Sequence, residues 1–345
     1  MIKKGKAEAL FDYLENCAKN NVFPGANFAL IAGNETTYTS VGKKQEKPIK
    51  INDLKTMYNL ESLTQVIVTT TAILILKDQE LLELDTTIKT ILPDFKNSNI
   101  TIKNCLNHTS GLTALVEPLD GMTARELQDF IMESNLDFET NSKTIYSDLN
   151  FILLGLVIDK LTGSFEDFVK ENIFKPLNMV DTTYTPSKKQ IRFCVSYLYN
   201  NTNYHNKLFD KKANIFECAC GHAGLYSTIN DLILFMKMYL YNGTYRKVKI
   251  LSPESIDLLF KCTTDNLNSG RSLGWIINSN KFSLGDICSD ETFFMESNTG
   301  SSILFDRKKK LVVILLTNEL NMDHGDQVIP LELDKIYRLA YKSVK

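Results

Sequence analysis

The chain has 345 residues, of which 43% are hydrophobic and 23% charged, and its formal net charge is −2. This mix is typical of a globular protein, and the absence of a lysine- and arginine-rich stripe argues against a nucleic-acid partner. The longest mainly apolar run, residues 66–76, is too short to cross a bilayer. Residues 7–18 alternate apolar and charged residues at helical spacing and so lack the apolar core of a signal peptide. We therefore expect a cytoplasmic protein with neither nucleic-acid nor membrane partners.

The predicted elements begin with a helix near residues 6–19 and two strands within residues 26–41, joined by a turn at Gly33-Asn34. A polar loop at residues 43–53 follows. Residues 66–76 are rich in β-branched side chains and would be predicted as a strand if taken alone. Helices and long loops are predicted for residues 78–230, with the polar segment 187–214 as a loop or lid. Apolar alternation from Leu273 onward predicts strands, notably 301–307 and 310–317, before a final helix near 329–343.

Cysteine and histidine spacing gives no metal motif. The seven cysteines contain no C-x-x-C pair, and the one close pair, Cys218 and Cys220, has a spacing poorly suited to metal binding. The four histidines are dispersed. We therefore expect reduced thiols, no metal and no cofactor. The cysteines are at positions 17, 105, 194, 218, 220, 262 and 288, and the histidines at 108, 205, 222 and 324.

The segment Ser62-Leu63-Thr64-Gln65 has two interpretations. Serine at a helix start with glutamine three residues later forms a capping box, in which each side chain satisfies a backbone N–H. The same spacing is that of the serine-hydrolase motif S-x-x-K, whose lysine helps to take the proton from the serine. One helical turn keeps positions 62 and 65 on the same face. A carboxamide has no usable proton affinity near neutral pH, so Gln65 can orient the Ser62 hydroxyl but cannot deprotonate it.

Further motifs follow Ser62 in a fixed order. In these segments the chain resembles the β-lactamase-related serine hydrolases, which include class C β-lactamases, D-alanyl-D-alanine carboxypeptidases and related esterases. The matches run from about residue 25 to residue 320. The matching segments are Leu106-Asn107-His108-Thr109-Ser110-Gly111-Leu112, Tyr146-Ser147-Asp148, Phe174-Lys175-Pro176-Leu177-Asn178-Met179, Gly221-His222-Ala223-Gly224-Leu225-Tyr226-Ser227-Thr228 and Thr299-Gly300 with the strand beyond it.

The resemblance implies an α+β fold of the β-lactamase/DD-peptidase type, an antiparallel sheet flanked by helices with a mostly helical region beside it. We expect one unit over residues 1–345, with an α/β region at about 1–77 and 231–345 and a helical region at about 78–230. Residues 66–76 then become a buried central helix. Three sites should meet in a cleft: the start of that helix, the loop bearing Tyr146 and the edge strand before Thr299.

The resemblance also implies roles for individual residues. Ser62 matches the nucleophile, and Tyr146 the phenol that transfers a proton beside it. Asp148 would face the motif lysine or the substrate amide, and with glutamine at position 65 its carboxylate is expected to accept the Gln65 N–H instead. The family's H/K-x-G triplet falls on Met295-Glu296-Ser297, so its basic group is also replaced. Alternation places Met295 and Ser297 on one face toward the cleft.

Part of the catalytic apparatus does not depend on side-chain identity. The backbone N–H of Asn298 could pair with that of Ser62 as an oxyanion hole, because a main-chain donor is the same for every residue except proline.

Two functions remain open. One is a catalytically impaired pseudo-hydrolase that keeps a cleft for a small-molecule or peptide ligand. The alternative is an active serine hydrolase, esterase or peptidase/β-lactamase-like, that forms an acyl-Ser62 intermediate with Tyr146 and with Glu61, Lys143 or solvent as base. A purely structural role, with the cleft filled by side chains, is a third.

Overall fold

The computed structural model describes residues 1–199, 202–205, 208, 210–217, 219–267, 269–277, 285–319 and 328–345. Cys218 and His324 lie outside these ranges, as does part of the polar segment 187–214. Among the described residues, no helix is long and apolar enough to cross a membrane.

The strands are short apart from those at the centre of the main sheet. They are β1 (Gly25–Ala32), β2 (Glu35–Gln45), β3 (Lys50–Ile51), β4 (Tyr58–Asn59), β5 (Ser196–Tyr199), β6 (Thr202–His205), β7 (Tyr226–Ser227), β8 (Thr244–Tyr245), β9 (Val248–Lys249), β10 (Ile276–Ile277), β11 (Thr292–Glu296), β12 (Ser302–Asp306) and β13 (Leu311–Thr317).

The helices lie at both ends of the chain and through its middle. They are α1 (Lys4–Lys19), α2 (Thr70–Asp78), α3 (Ile88–Ile91), α4 (Ile102–Leu106), α5 (Ala124–Glu133), α6 (Asp148–Thr162), α7 (Phe165–Val169), α8 (Lys175–Leu177), α9 (Lys211–Phe216), α10 (Ile229–Leu240), α11 (Pro253–Leu258) and α12 (Val328–Lys342). Single π-helical turns, Gln65–Thr69 and Lys170–Phe174, precede α2 and α8, and 3₁₀ turns lie at Ile191–Phe193 and Asp265–Leu267.

The main sheet has the strand order β10-β11-β12-β13-β1-β2-β3, with antiparallel neighbours. Strand β1, which lies between β13 and β2, is buried along its whole length. Because side chains alternate across a strand, Ala29 and Ile31 enter the core shared with the middle helices, whereas Phe28 and Leu30 enter the core beneath α1 and α12. The sheet therefore carries helices on both faces, and the expected α+β architecture of an antiparallel sheet flanked by helices is confirmed.

The segment predicted as a strand from local composition is helical. Residues 65–69 form the π turn and Thr70–Asp78 form α2, with Val66 to Leu76 all buried. Burial on every side outweighs the modest preference of β-branched residues for strands. The helix implied by the resemblance is thus confirmed, and it passes through the middle of the molecule with its first turn next to Ser62.

Three local predictions need correction. The predicted loop at 43–53 contains the end of β2 and the strand β3, which pair with each other. The polar segment 187–214 contains the hairpin β5–β6 and the start of α9, because backbone pairing requires no apolar side chains. The strand before Thr299, β11, is not the sheet edge, because β10 pairs with its residues Phe293 and Phe294.

Candidate active site

A strained turn presents Ser62 at the start of the central helix. Glu61, between β4 and Ser62, has φ of +45°, a left-handed conformation that non-glycine residues seldom adopt. Asn59 holds this turn on both sides: its Nδ2 donates to Glu61 Oε1 at 2.5 Å, and its Oδ1 accepts from the Glu61 N–H at 3.2 Å. The buried Glu61 carboxylate therefore stabilises the turn that aims Ser62 into the cleft.

The loop bearing Tyr146 is anchored by His108. The Ile145 N–H donates to the His108 carbonyl at 3.0 Å, and the Ser147 N–H donates to His108 Nδ1 at 3.2 Å. The imidazole also packs against the Tyr146 ring, with ring centroids 4.7 Å apart. Burial, and secondly the nearby Arg271 cation, hold the pKa of His108 well below its usual value. His108 therefore acts as a neutral support for the tyrosine.

Ser62, Tyr146, Gln65 and Asp148 form a connected group. Tyr146 Oη lies 3.1 Å from Ser62 Oγ and accepts a hydrogen bond from Gln65 Nε2 at 2.6 Å. The same Gln65 nitrogen donates to Asp148 Oδ1 at 3.4 Å, the bond that the sequence predicts. Burial of the hydroxyl, with the Asp148 charge adding to it, raises the pKa of Tyr146 well above its usual value. The phenol is thus held neutral beside the serine.

A second cluster continues from Asp148 and was missed by the sequence analysis. Lys212 Nζ pairs with Asp148 Oδ2 at 3.0 Å and with Asp210 Oδ2 at 3.2 Å. His222 Nε2 lies 2.8 Å from Asp210 Oδ1, and Cys220 Sγ lies 3.1 Å from His222 Nδ1. A chain of polar contacts therefore runs from Ser62 through Tyr146, Gln65 and Asp148 to Lys212, Asp210, His222 and Cys220.

Three groups of this cluster are held in their charged forms. Burial disfavours the Lys212 ammonium, but Asp148 and Asp210 outweigh it and raise the Lys212 pKa above its usual value. Burial likewise disfavours the imidazolium of His222, yet Cys220 and Asp210 raise the His222 pKa well above its usual value. For Asp210, burial is outweighed by His222 and Lys212, which lower its pKa. Lys212 and His222 are therefore cations and Asp210 an anion at neutral pH.

Asp148, Asp210 and His222 each offer one potential metal-ligand atom, and these atoms lie within 4.8 Å of one another. Lys212 already pairs with both carboxylates, and His222 contacts one of them. The potential ligand atoms are therefore already engaged in ion pairs with one another and with Lys212, and we assign no metal to this group.

The third wall of the cleft comes from the end of β11. Met295, Glu296 and Asn298 line the cleft, and Met295 is almost fully buried. The prediction that Ser297 faces the cleft with Met295 is wrong. Strand β11 ends at Glu296, and the Ser297 hydroxyl turns inward to the Thr299 hydroxyl at 2.9 Å. Within the described residues, the backbone N–H groups of Ser62 and Asn298 donate to no other protein atom, which fits an oxyanion hole.

The cleft between these walls is open, with a volume of about 250 Å³. It contains the Arg271 guanidinium, whose carbon lies 5.9 Å from the centre of the Tyr146 ring. Arg271 Nη1 is buried without a hydrogen-bond partner among the described residues, which also provide it with no ion pair within 4.0 Å. An open cleft with an unsatisfied cation does not fit the purely structural alternative.

Neither residue proposed as a substitute base contacts the Ser62 hydroxyl. Glu61 is held by Asn59 as described above, and the Lys143 ammonium lies 4.6 Å from the centre of the Phe138 ring on the surface. Ser62, Tyr146, Asp148, Asn298 and Met295 do meet in one cleft. The catalytic roles that the resemblance implies for them stay predictions.

The site residues that the sequence analysis missed differ in how strongly the sequence indicated them. His222 lies in the motif segment that begins at Gly221, so its position gave a signal. Asp210 and Lys212 come from the polar segment predicted as a loop, and Arg271 precedes β10 without any motif. Because position 65 carries glutamine where the motif has lysine, Asp148 lacks its expected cation, and that charge imbalance was the one available signal for Lys212.

Comparison with known proteins agrees with this geometry. The family model described as Beta-lactamase matches residues 10–335. A putative D-alanyl-D-alanine carboxypeptidase of Escherichia coli K12 is 26% identical, over 86% of this chain and 79% of its own. An N-acetylmuramyl-L-alanine amidase of Bacillus subtilis is also 26% identical, over 79% and 70%.

Solved structures show the same fold. A class C β-lactamase superimposes with a TM-score of 0.79 and 16% identity, covering 99% of both chains. A β-lactamase/D-alanine carboxypeptidase from Pseudomonas syringae gives 0.80 at 14% identity, again over 99% of both chains. The chain belongs to the β-lactamase family of serine hydrolases.

Proposed function

We propose that this protein is a catalytically impaired serine hydrolase whose cleft binds an anionic small molecule or the carboxylate end of a peptide. The observation that carries the proposal is the environment of Ser62. The contact that its hydroxyl makes is with Tyr146, and that phenol is bonded to the neutral Gln65 amide in place of a lysine.

The proton of Ser62 has no suitable acceptor among the described residues. Tyr146 would have to ionise beside the Asp148 carboxylate, and its raised pKa opposes this. Lys212 cannot serve in its place, since its own pKa is raised and it contacts Asp148 and Asp210 instead of Ser62 or Tyr146. Losing a general base typically slows a reaction by about 10²- to 10⁴-fold. An oxyanion hole and binding alone still give about 10³-fold over water, so slow turnover of reactive esters is compatible with the proposal.

Arg271 supports an anionic ligand. A buried guanidinium nitrogen without a partner is costly, and a carboxylate can satisfy it with a strong, charge-assisted hydrogen bond. A carboxypeptidase, the name carried by the Escherichia coli relative, acts next to a terminal carboxylate. The nearby Met295 provides an apolar surface for the remainder of such a ligand.

The alternative is an active esterase or peptidase/β-lactamase-like enzyme that works through acyl-Ser62. It is favoured by the 3.1 Å contact between Ser62 and Tyr146 and by the N–H groups of Ser62 and Asn298, which donate to no other atom in the described part of the chain. In this case Lys212 would act at a distance through Asp148 to balance charge during acylation.

Intact-mass measurement after incubation with a fluorophosphonate and with a penicillin separates the two functions. We expect slow or no adduct formation on the wild type and none on Ser62→Ala. Rapid, stoichiometric labelling of the wild type that is lost in Ser62→Ala would overturn the impaired function and establish the active hydrolase. Binding of the penicillin to Ser62→Ala, measured by calorimetry, reports on the ligand cleft independently of turnover.

A further inference from the structure

Cys220, His222 and Asp210 form a linear thiol–imidazole–carboxylate arrangement at the wall of the cleft. Cys220 Sγ lies 3.1 Å from His222 Nδ1, and His222 Nε2 lies 2.8 Å from Asp210 Oδ1. Asp210 is ionised and can only accept a hydrogen bond, so Nε2 carries a proton and Nδ1 faces the sulfur. Sulfur and Nδ1 therefore share one proton, the relation found in activated cysteines.

The backbone holds these groups in register. Gly221, between the cysteine and the histidine, packs so closely on α6 that a Cβ there would lie 2.1 Å from the Phe151 carbonyl oxygen. Its own carbonyl accepts from Thr69 Oγ1 at 2.6 Å, and the Tyr184 hydroxyl donates to the Cys220 carbonyl at 3.1 Å. The sulfur–imidazole contact is thus imposed by the fold.

Asp210 is fixed as firmly as the other two groups. It is the N-cap of α9, where its Oδ1 accepts from the Ala213 N–H at 2.8 Å, and Lys212 neutralises its second oxygen. The carboxylate thus orients the imidazole much as the third member of a catalytic triad does. The raised pKa of His222 is consistent with a charged imidazolium beside the sulfur.

Access to the sulfur is narrow. His222 and Asp210 line the cleft, whereas Cys220 lies directly behind His222 and is only 6% exposed. This small exposed fraction favours a reagent of a few atoms over a bulky acyl substrate.

We propose that Cys220 is an activated thiol that reacts with small hydroperoxides. His222, oriented by Asp210, holds the thiol proton as an imidazolium, and the sulfur attacks the terminal oxygen of the hydroperoxide. The O–O bond breaks, sulfur is oxidised to a sulfenic acid, and the peroxide is reduced to an alcohol or water with the proton returned from His222. Two equivalents of a small thiol reverse the modification: the first condenses with the sulfenic acid to a mixed disulfide and releases water, and the second releases the Cys220 thiol as a small disulfide forms. This site does not depend on Ser62, so it stands whether or not the protein hydrolyses anything.

The other described cysteines supply internal controls. Cys262 and Cys288 are more exposed than Cys220, but burial raises the pKa of both thiols, that of Cys288 to about 11. Iodoacetamide labelling near pH 6, followed by peptide mass spectrometry, therefore distinguishes activation from exposure. We expect Cys220 to react first, at least about tenfold faster than Cys262 and Cys288. Fragment ions assign the label to Cys220 rather than Cys218.

Variants test the triad itself. His222→Gln should slow Cys220 labelling near pH 6 by about tenfold or more, and Asp210→Asn should slow it less, while Cys262 keeps its rate in both. Thiolate ultraviolet absorbance that is present in the wild type near pH 6 and absent in Cys220→Ser gives a second readout, which needs no His222 variant to fold. Dimedone should trap the sulfenic acid at Cys220 after tert-butyl hydroperoxide treatment. Labelling that follows exposure alone, the absence of the thiolate signal or no dimedone adduct would each overturn the proposal.

Discussion

Replacing Gln65 with lysine should reactivate Ser62. In Gln65→Lys, the ammonium would occupy the place of Gln65 Nε2, 2.6 Å from Tyr146 Oη and 3.4 Å from Asp148 Oδ1. The exchange should be tolerated, because Gln65 Oε1 is buried without a hydrogen-bond partner among the described residues and its loss removes an unsatisfied acceptor.

The expected gain follows from the distances. At an effective dielectric constant of about 20, a unit charge about 3 Å away stabilises a phenolate by about 5 kcal/mol. Desolvation of the new lysine, the partial exposure of Tyr146 and the opposing Asp148 charge offset roughly half of this. About 2.7 kcal/mol remains, which corresponds to about a 100-fold faster reaction of Ser62.

The assay is the second-order rate of fluorophosphonate labelling, followed by intact mass. Gln65→Met is the matched control, since it keeps the side-chain length without a charge or a donor, and Ser62→Ala shows the background. A folded Gln65→Lys protein that labels no faster than Gln65→Met would refute the idea that loss of the lysine limits Ser62.

Three further predictions concern the charges around the cleft. Arg271→Met should weaken binding of a penicillin to the Ser62→Ala protein by about 10- to 100-fold, and Arg271→Lys should have an intermediate effect. The affinity for the penicillin methyl ester should not change, and an equal loss of affinity for acid and ester would contradict an anion site. Lys212→Met should lower the free energy of unfolding by about 3 kcal/mol because it leaves Asp148 without a cation and Asp210 with His222 alone, and urea titration with Lys212→Arg as the control checks this. The raised pKa of His222 contributes stability that is complete below its unfolded pKa of about 6.5 and is lost as pH rises through the higher folded value. Stability should therefore fall from about pH 6.5 upward in the wild type but not in His222→Gln, and parallel curves would contradict the assignment.

The sequence predicted the site residues that lie in motifs whose order along the chain can be recognised. Ser62, Tyr146 and the strand end near Asn298 lie in motif segments, and the fold implied by those segments brings them into one cleft. Local propensity predicted a strand at residues 66–76, where burial on all sides instead favours a helix. The inward turn of Ser297 depends on where β11 ends, and strand ends are set by hairpin geometry more than by side-chain alternation.

The charged half of the site could not be predicted in the same way. Lys212 and Asp210 come from a polar segment without periodicity, and Arg271 from a loop. Their positions depend on how these segments pack against the cleft, and no local pattern records that packing. The contact between Cys220 and His222 has a local basis, because the two residues flank Gly221. The tight packing of Gly221 on α6 fixes the backbone on which both side chains meet.

The position of Lys212 explains how the chain tolerates glutamine in place of the motif lysine. A lysine at position 65 would have two roles, which are to neutralise Asp148 and to exchange a proton with Ser62 through Tyr146. Lys212 reaches Asp148 from the opposite side and performs the first role only, because it pairs with Asp148 Oδ2 while Gln65 and Tyr146 occupy the side of Ser62. Lys212 thus supplies a cation to both Asp148 and Asp210, so neither carboxylate depends on a charge at position 65. Arg271 then remains, among the described residues, as an unpaired cation facing the cleft, so the same rearrangement that removes the proton acceptor leaves the cleft suited to an anionic ligand.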